Sequence, residues 1–152
     1  MEIQDQLERD IKTAMLGGDK DKTEVLRGLK NALQIEAIAL GIKAVGLNDE
    51  QAQKVLAAEA KKRQDAADLY QKAGEMPRAD KEMAEKEIIQ QYLPDQMSED
   101  ELRLLISAKI NSLGASGHAD LGRVISAVRA EAGASADGAV VARLVRELLG
   151  RR

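Results

Sequence analysis

The sequence predicts an all-α chain in two parts, an N-terminal bundle of about four helices followed by a small three-helix C-terminal domain. Three observations lead to this. Apolar residues recur at helical spacing in stretch after stretch, with no strand-like alternation and no Asn-Gly hairpin turn. Glycines and capping residues punctuate those stretches. One sharp interruption, Tyr92-Leu93-Pro94, is followed four residues later by Ser98-Glu99-Asp100-Glu101. Pro94 lacks a backbone N–H and disfavours an α conformation at Leu93, so a helix arriving through Ile88 and Ile89 stops near Tyr92. Ser98 and Glu101 have the spacing of a capping box, which opens a new helix. The expected domains are therefore 1–92 and 93–152, joined by a mobile hinge.

Taken in order, the first helix reads from about Ile3 to Leu16, with Ile3, Leu7, Ile11, Ala14 and Met15 on one face and Gly17-Gly18 as its stop. Asp19 to Thr23 offer N-caps for a second helix. That helix carries Leu26, Leu29, Leu33, Glu36 and Leu40 on one side. A second row, Val25, Ala32, Ile35, Ala39 and Ile42, widens the apolar face, as in a helix sandwiched between neighbours. Asn48-Asp49-Glu50-Gln51 repeats the capping-box pattern. The third helix runs to about Ala73 with Gly74 just past its end. Its inward stripe is Ala52, Val55, Leu56, Glu59, Arg63, Ala66, Ala67 and Tyr70. Pro77 suits the first turn of a fourth helix, with Met83, Ile88 and Ile89 inward. Beyond the hinge, a fifth helix spans about Glu99 to Leu113 and stops at Gly114. A sixth starts near Asp120, with Leu121, Val124, Ile125 and Val128 inward. A seventh starts at Asp137, with Val141, Leu144, Val145, Leu148 and Leu149 inward.

Of 152 residues, 44% are hydrophobic and 32% charged, yet Phe, Trp and Cys are absent. The core must be aliphatic. Without cysteine there are no disulfides, thiolate nucleophiles or Cys–zinc sites, and a single histidine excludes His-based metal clusters. No apolar run approaches the roughly 20 residues of a membrane span, and Met1-Glu2-Ile3-Gln4-Asp5 is unlike a signal peptide. A soluble, cytoplasmic monomer without a cofactor is expected. Residues 1–92 carry 15 Lys+Arg against 18 Asp+Glu, a net −3, and residues 93–152 carry 8 against 8. Seven of those last eight bases are Arg, whose planar fork suits phosphate and carboxylate.

Few residues stand out for chemistry. Glu36, Glu59 and Arg63 occupy inward helical positions. They form either a polar ligand pocket or an interhelical ion pair, such as Arg63 with Glu36 or Glu82 and alkyl stems packed inside. For a one-to-one pair, Arg63→Met is expected to be tolerated better than loss of the carboxylate alone. Lys61 and Lys62 read as a solvated face. His118 lies before a helix start, either beside an anion site at exposed amides or on the surface without a role. No Ser–His–Asp set, P-loop or dinucleotide fingerprint is present. The residues alone describe a binding or interaction protein.

The chain resembles the GatB/YqeY family over essentially its full length. The matching residues begin with Leu26-Arg27, Lys61-Lys62-Arg63, Tyr70-Gln71-Lys72-Ala73-Gly74, and Glu82 with Glu85. They continue through Tyr92-Leu93-Pro94, Ser98-Glu99-Asp100-Glu101-Leu102 and Asp120-Leu121-Gly122-Arg123-Val124. Ala136-Asp137-Gly138 and Leu144-Val145 close the series. Glu75 stands where the family usually has Arg, and Arg78 where it has Leu. The resemblance implies a C-terminal domain like the tail of the B subunit of the glutamine-dependent aspartyl/glutamyl-tRNA amidotransferase. That tail docks on tRNA while the carbon–nitrogen ligase chemistry sits elsewhere. It thus implies tRNA-related binding, without a catalytic site of its own. The matching surface is Gly122, Arg123, Arg129, Arg143 and Arg146, extended by Arg151 and Arg152. These arginines lie outside the apolar stripes of the last two helices, and their alternative role is pairing with Glu131 and Glu147. Two readings stay open: a tRNA-binding accessory protein, or an adaptor docking on amidotransferase or aminoacyl-tRNA synthetase subunits.

Overall fold

The computed structural model describes residues 2–150. Among them there are seven α-helices and no strand: α1 (Glu2–Leu16), α2 (Lys20–Ala39), α3 (Asp49–Lys72), α4 (Met76–Gln90), α5 (Glu99–Leu113), α6 (Leu121–Ala132) and α7 (Gly138–Gly150). Two 3₁₀ turns, His118–Asp120 and Gly133–Ser135, precede α6 and α7. The chain divides into two compact units, Met1–Leu93 and Pro94–Arg152.

Local chemistry sets the helix ends. Asp19 accepts from the Lys22 amide at 3.1 Å and caps α2. At α3, the Asn48 side chain accepts from the Gln51 amide at 2.8 Å, and Gln51 accepts from the Asn48 amide at 2.9 Å. Ser98 and Glu101 make the same reciprocal pair at α5, at 3.1 and 3.0 Å. Each box satisfies two amides that have no partner inside the helix. Gly74 and Gly114 close α3 and α5 at φ +75° and +63°, a region that side chains with a Cβ rarely adopt.

In the first unit, α1 and α2 pack as a hairpin, and α3 and α4 form a second hairpin with the most extensive helix–helix contact in the chain. Leu7, Ile11, Leu26, Leu29, Leu33, Leu47, Leu56 and Ile89 make the aliphatic core. Ala52, Ala60, Ala67 and Ala79 are also buried, and small residues let α3 and α4 approach closely. The inward stripe of α3 thus runs through Ala60 and Ala67, while Val55, Glu59, Arg63, Ala66 and Tyr70 flank it half-buried. Two expectations fail on the other hairpin. Met15 is exposed. So are Ile35, Ala39 and Leu40, because α2 buries one face only and its outer row has no covering neighbour among the described residues.

The chain leaves this unit under restraint. The Leu93 amide donates to the Gln90 carbonyl at 3.1 Å, and the Tyr92 hydroxyl donates to the Asp10 carboxylate of α1. Burial, the hydrogen bond to Asp10 and the charge of that carboxylate all push the Tyr92 phenol well above its usual range. The second unit begins equally tied. Gln96 donates to the Ala134 carbonyl at 2.8 Å, and the Met97 amide to the Ser135 carbonyl at 2.8 Å. Its core is Leu102, Ile106 and Ile110 of α5, Val124 and Val128 of α6, and Val141, Leu144, Val145 and Leu149 of α7.

Candidate nucleic-acid interface

The arginines of residues 94–152 sort by what already holds them. α6 begins at Leu121, one residue later than expected, because residues 118–120 make a 3₁₀ turn first. Asp120 organises that turn. It accepts from the Ser116 amide at 3.0 Å and from the Arg123 guanidinium at 2.9 Å. The Ser116 bond, outweighing desolvation and helped by Arg123, holds the Asp120 carboxyl below its ordinary value. Arg123 is therefore an exposed cation with its own anion. Arg143 is held twice, by Glu147 at 3.3 Å and by Glu99 in the first turn of α5. Glu99 is shared with Arg103, at 3.4 Å. Glu131, read as an arginine partner, instead binds Lys109 at 3.3 Å.

Arg129 and Arg146 are different. Both are exposed, and neither has a carboxylate partner among the described residues. The guanidinium of Arg129 lies over Gly138, where an added Cβ would stand 3.4 Å from its central carbon. Gly138 thus gives Arg129 its resting place beside the first turn of α7, whose Ala139 amide is taken by Asp137 at 2.8 Å. Gly138, Ala142 and Arg146 form one i, i+4, i+8 ridge of α7. Arg146 lies about 12 Å along the helix axis from Gly138, at 1.5 Å per residue. The two cations without carboxylates therefore flank one ridge.

Gly122 is exposed with open space around it, so the fold itself does not need glycine there. His118 is an exposed residue of the 3₁₀ turn. Arg151 and Arg152 lie outside the described residues. Sequence reasoning missed two residues. Gly138 had a signal, its place in the Ala136-Asp137-Gly138 block, and Arg103 had its i, i+4 spacing from Glu99.

The polar group on α3 is an ion pair, with a correction to its partners. Arg63 donates to Glu59 on its own helix at 2.9 Å and faces Glu85 of α4 at 3.7 Å. Glu36 and Glu82 make no ion pair among the described residues. Arg63, Glu59 and Glu85 side chains are only 17–24% exposed. Burial opposes charge on Glu59, but hydrogen bonds from Lys62 and Arg63 outweigh it and hold the carboxyl below its ordinary value. One cation between two carboxylates satisfies the group internally, which is the chemistry of a fold-stabilising clasp.

Among the described residues there is no group of three or more acidic or histidine side chains able to hold a metal. No helix there is long and apolar enough to cross a membrane. A helical protein with an arginine ridge at its C-terminal end and an internally satisfied ion cluster belongs to the class of helical binding modules. More particularly, the chain belongs to the Yqey-like protein family, whose model matches residues 4–149. No curated protein matches it.

Proposed function

We propose that this chain is a cytoplasmic, non-catalytic tRNA-binding accessory protein that meets the RNA backbone through α6 and α7. The observation that carries the reading is the pair of exposed arginines without carboxylate partners, Arg129 and Arg146, flanking the Gly138-Ala142-Arg146 ridge. The likeness of residues 94–152 to the amidotransferase tail supports it. Arg123 and Arg143 exchange a carboxylate for a phosphate on binding and contribute less. Residues 93–152 contain no aromatic side chain to stack on bases, so recognition follows shape and backbone rather than sequence. The acidic residues 1–92 weaken binding through repulsion.

Fluorescence anisotropy with labelled tRNA over a salt series tests this. Each phosphate contact contributes about 0.7–0.9 to the slope of log K against log salt. Arg129→Gln with Arg146→Gln lowers the affinity and flattens the slope by up to two such contributions. Arg123→Gln with Arg143→Gln has a smaller effect. No binding at low salt, or an unchanged slope in the first double variant, sinks the reading. The adaptor role on amidotransferase or synthetase subunits then replaces it.

A further inference from the structure

The face of α2 turned away from the core has no partner within the chain. Leu26, Leu29, Leu33 and Ala37 point inward, and Ile35 and Ile38 stand on the opposite side one turn apart. Leu40 and Val45 follow within seven residues. These four side chains are between 48% and 72% exposed. Beside them, Ile42, Val45, Gly46, Asn48 and Gln51 line a shallow cavity of about 280 Å³. From Asn31 to Asn48 the only charged residues are Glu36 and Lys43, in a chain that is 32% charged. Depletion of charge marks the centre of a protein interface.

We infer that this face associates weakly with a second copy of the chain, α2 against α2 in antiparallel two-fold contact. Two features of the sequence make the face self-complementary. Gly28, Asn31, Ile35 and Ile38 follow the alternating three- and four-residue spacing of a helix–helix seam. A two-fold axis passing between Ile35 and Ile38 sets Ile35 of one copy on Ile38 of the other. It also brings the Leu40–Val45 end of one copy over the Gly28–Asn31 end of the other. Gly28 has open space above it, where an incoming aliphatic side chain fits.

The area sets the strength. Four such side chains expose on the order of 400 Å² of apolar surface, the size at which a patch on a monomer marks an interaction site. Interfaces are roughly 60% apolar, so this patch corresponds to about 700 Å² buried per copy. A standard interface buries about 800 Å² per partner. The contact is thus large enough to form and small enough to dissociate, leaving monomer at low concentration.

Sedimentation of the full chain from about 1 μM to about 1 mM reads the equilibrium. The expected result is a mass that climbs from the monomer toward the dimer value. Ile38→Asp, on an exposed face, weakens association by at least about tenfold and leaves the thermal melt unchanged. Because the chain has no cysteine, Ile35→Cys with Ile38→Cys gives covalent dimers on mild oxidation, and Leu16→Cys on exposed α1 surface does not. A monomer at every concentration, association that survives Ile38→Asp, or a double variant that fails to cross-link overturns the inference.

Discussion

Replacing Arg63 by methionine removes the cation from between Glu59 and Glu85 and keeps most of the stem's packing. Two carboxylates, each under a quarter exposed, then face one another with only Lys62, 3.1 Å from Glu59, as a counter-charge. Glu85→Gln is milder, because Arg63 keeps its 2.9 Å bond to Glu59. The order is the reverse of that expected for a one-to-one pair, since one arginine serves two acids. A hydrogen bond to a charged group contributes about 1.5–3 kcal/mol. The groups retain some exposure, so Arg63→Met is expected to cost about 1–2 kcal/mol. Glu85→Gln removes only the longer ion pair, at 3.7 Å, and is expected to cost about 0.5 kcal/mol. At about 4–8 °C per kcal/mol for a unit of this size, the first variant melts roughly 5–10 °C lower and the second only a few degrees. The pH dependence gives a second readout. The Glu59 carboxyl is depressed in the folded chain. Its contribution is therefore present above the unfolded value and lost as pH falls through the lower folded value. Arg63→Met removes part of that depression, so its gap from wild type narrows below about pH 4.5. Melts at pH 7 and pH 4 followed by far-ultraviolet circular dichroism test both points. Equal losses from the two substitutions, or a gap that does not change with pH, refute the reasoning.

Tyr92→Phe loses the hydroxyl bond to Asp10 and about 1 kcal/mol. Because the phenol is raised in the folded state, wild type loses this contribution as pH climbs past about 10, and the variant melts with a flatter alkaline profile. Ser98→Ala breaks the α5 capping box and costs residues 94–152 about 1 kcal/mol, seen as a lower melt of that unit with α1–α4 unaffected. Glu147→Gln, by removing one carboxylate that competes for Arg143, raises tRNA affinity about two- to fivefold in the anisotropy assay. Limited proteolysis is expected to cut first at 94–98. A chain trimmed only at its ends counts against independent units.

What was legible in the sequence was what depends on near neighbours along the chain. The Asn48–Gln51 and Ser98–Glu101 boxes, and the stops at Gly74 and Gly114, rest on residues at most four apart, and a helix end needs nothing else. Burial was harder to read. Periodicity shows that α2 has apolar rows but not which row finds a neighbour, so Ile35 and Leu40 looked buried. Ala60 and Ala79 carry too little side chain to stand out in a hydrophobic pattern, although close helix packing selects them. Partners across helices depend on register. Glu85 opposite Arg63 and Glu99 opposite Arg143 followed only from how α3 meets α4 and α5 meets α7. The arginine surface was legible as a set of residues. Its division into carboxylate-held and unheld members was not, because Gly138 and Arg129 meet through the turn between α6 and α7.

Both tyrosines of the chain, Tyr70 and Tyr92, fall in residues 1–93, and there is no tryptophan. Tyr70 lies under the Arg78 guanidinium, 5.9 Å from ring centre to charge, and Tyr92 sits against the Asp10 carboxylate. The ultraviolet emission of the intact protein therefore comes from one unit alone, and the other is dark. Denaturation followed by tyrosine emission reports α1–α4, while the far-ultraviolet helix signal reports all seven helices. If the two curves superimpose, the units unfold as one cooperative body, and if they separate, their offset measures how little each depends on the other. No label or cut is needed.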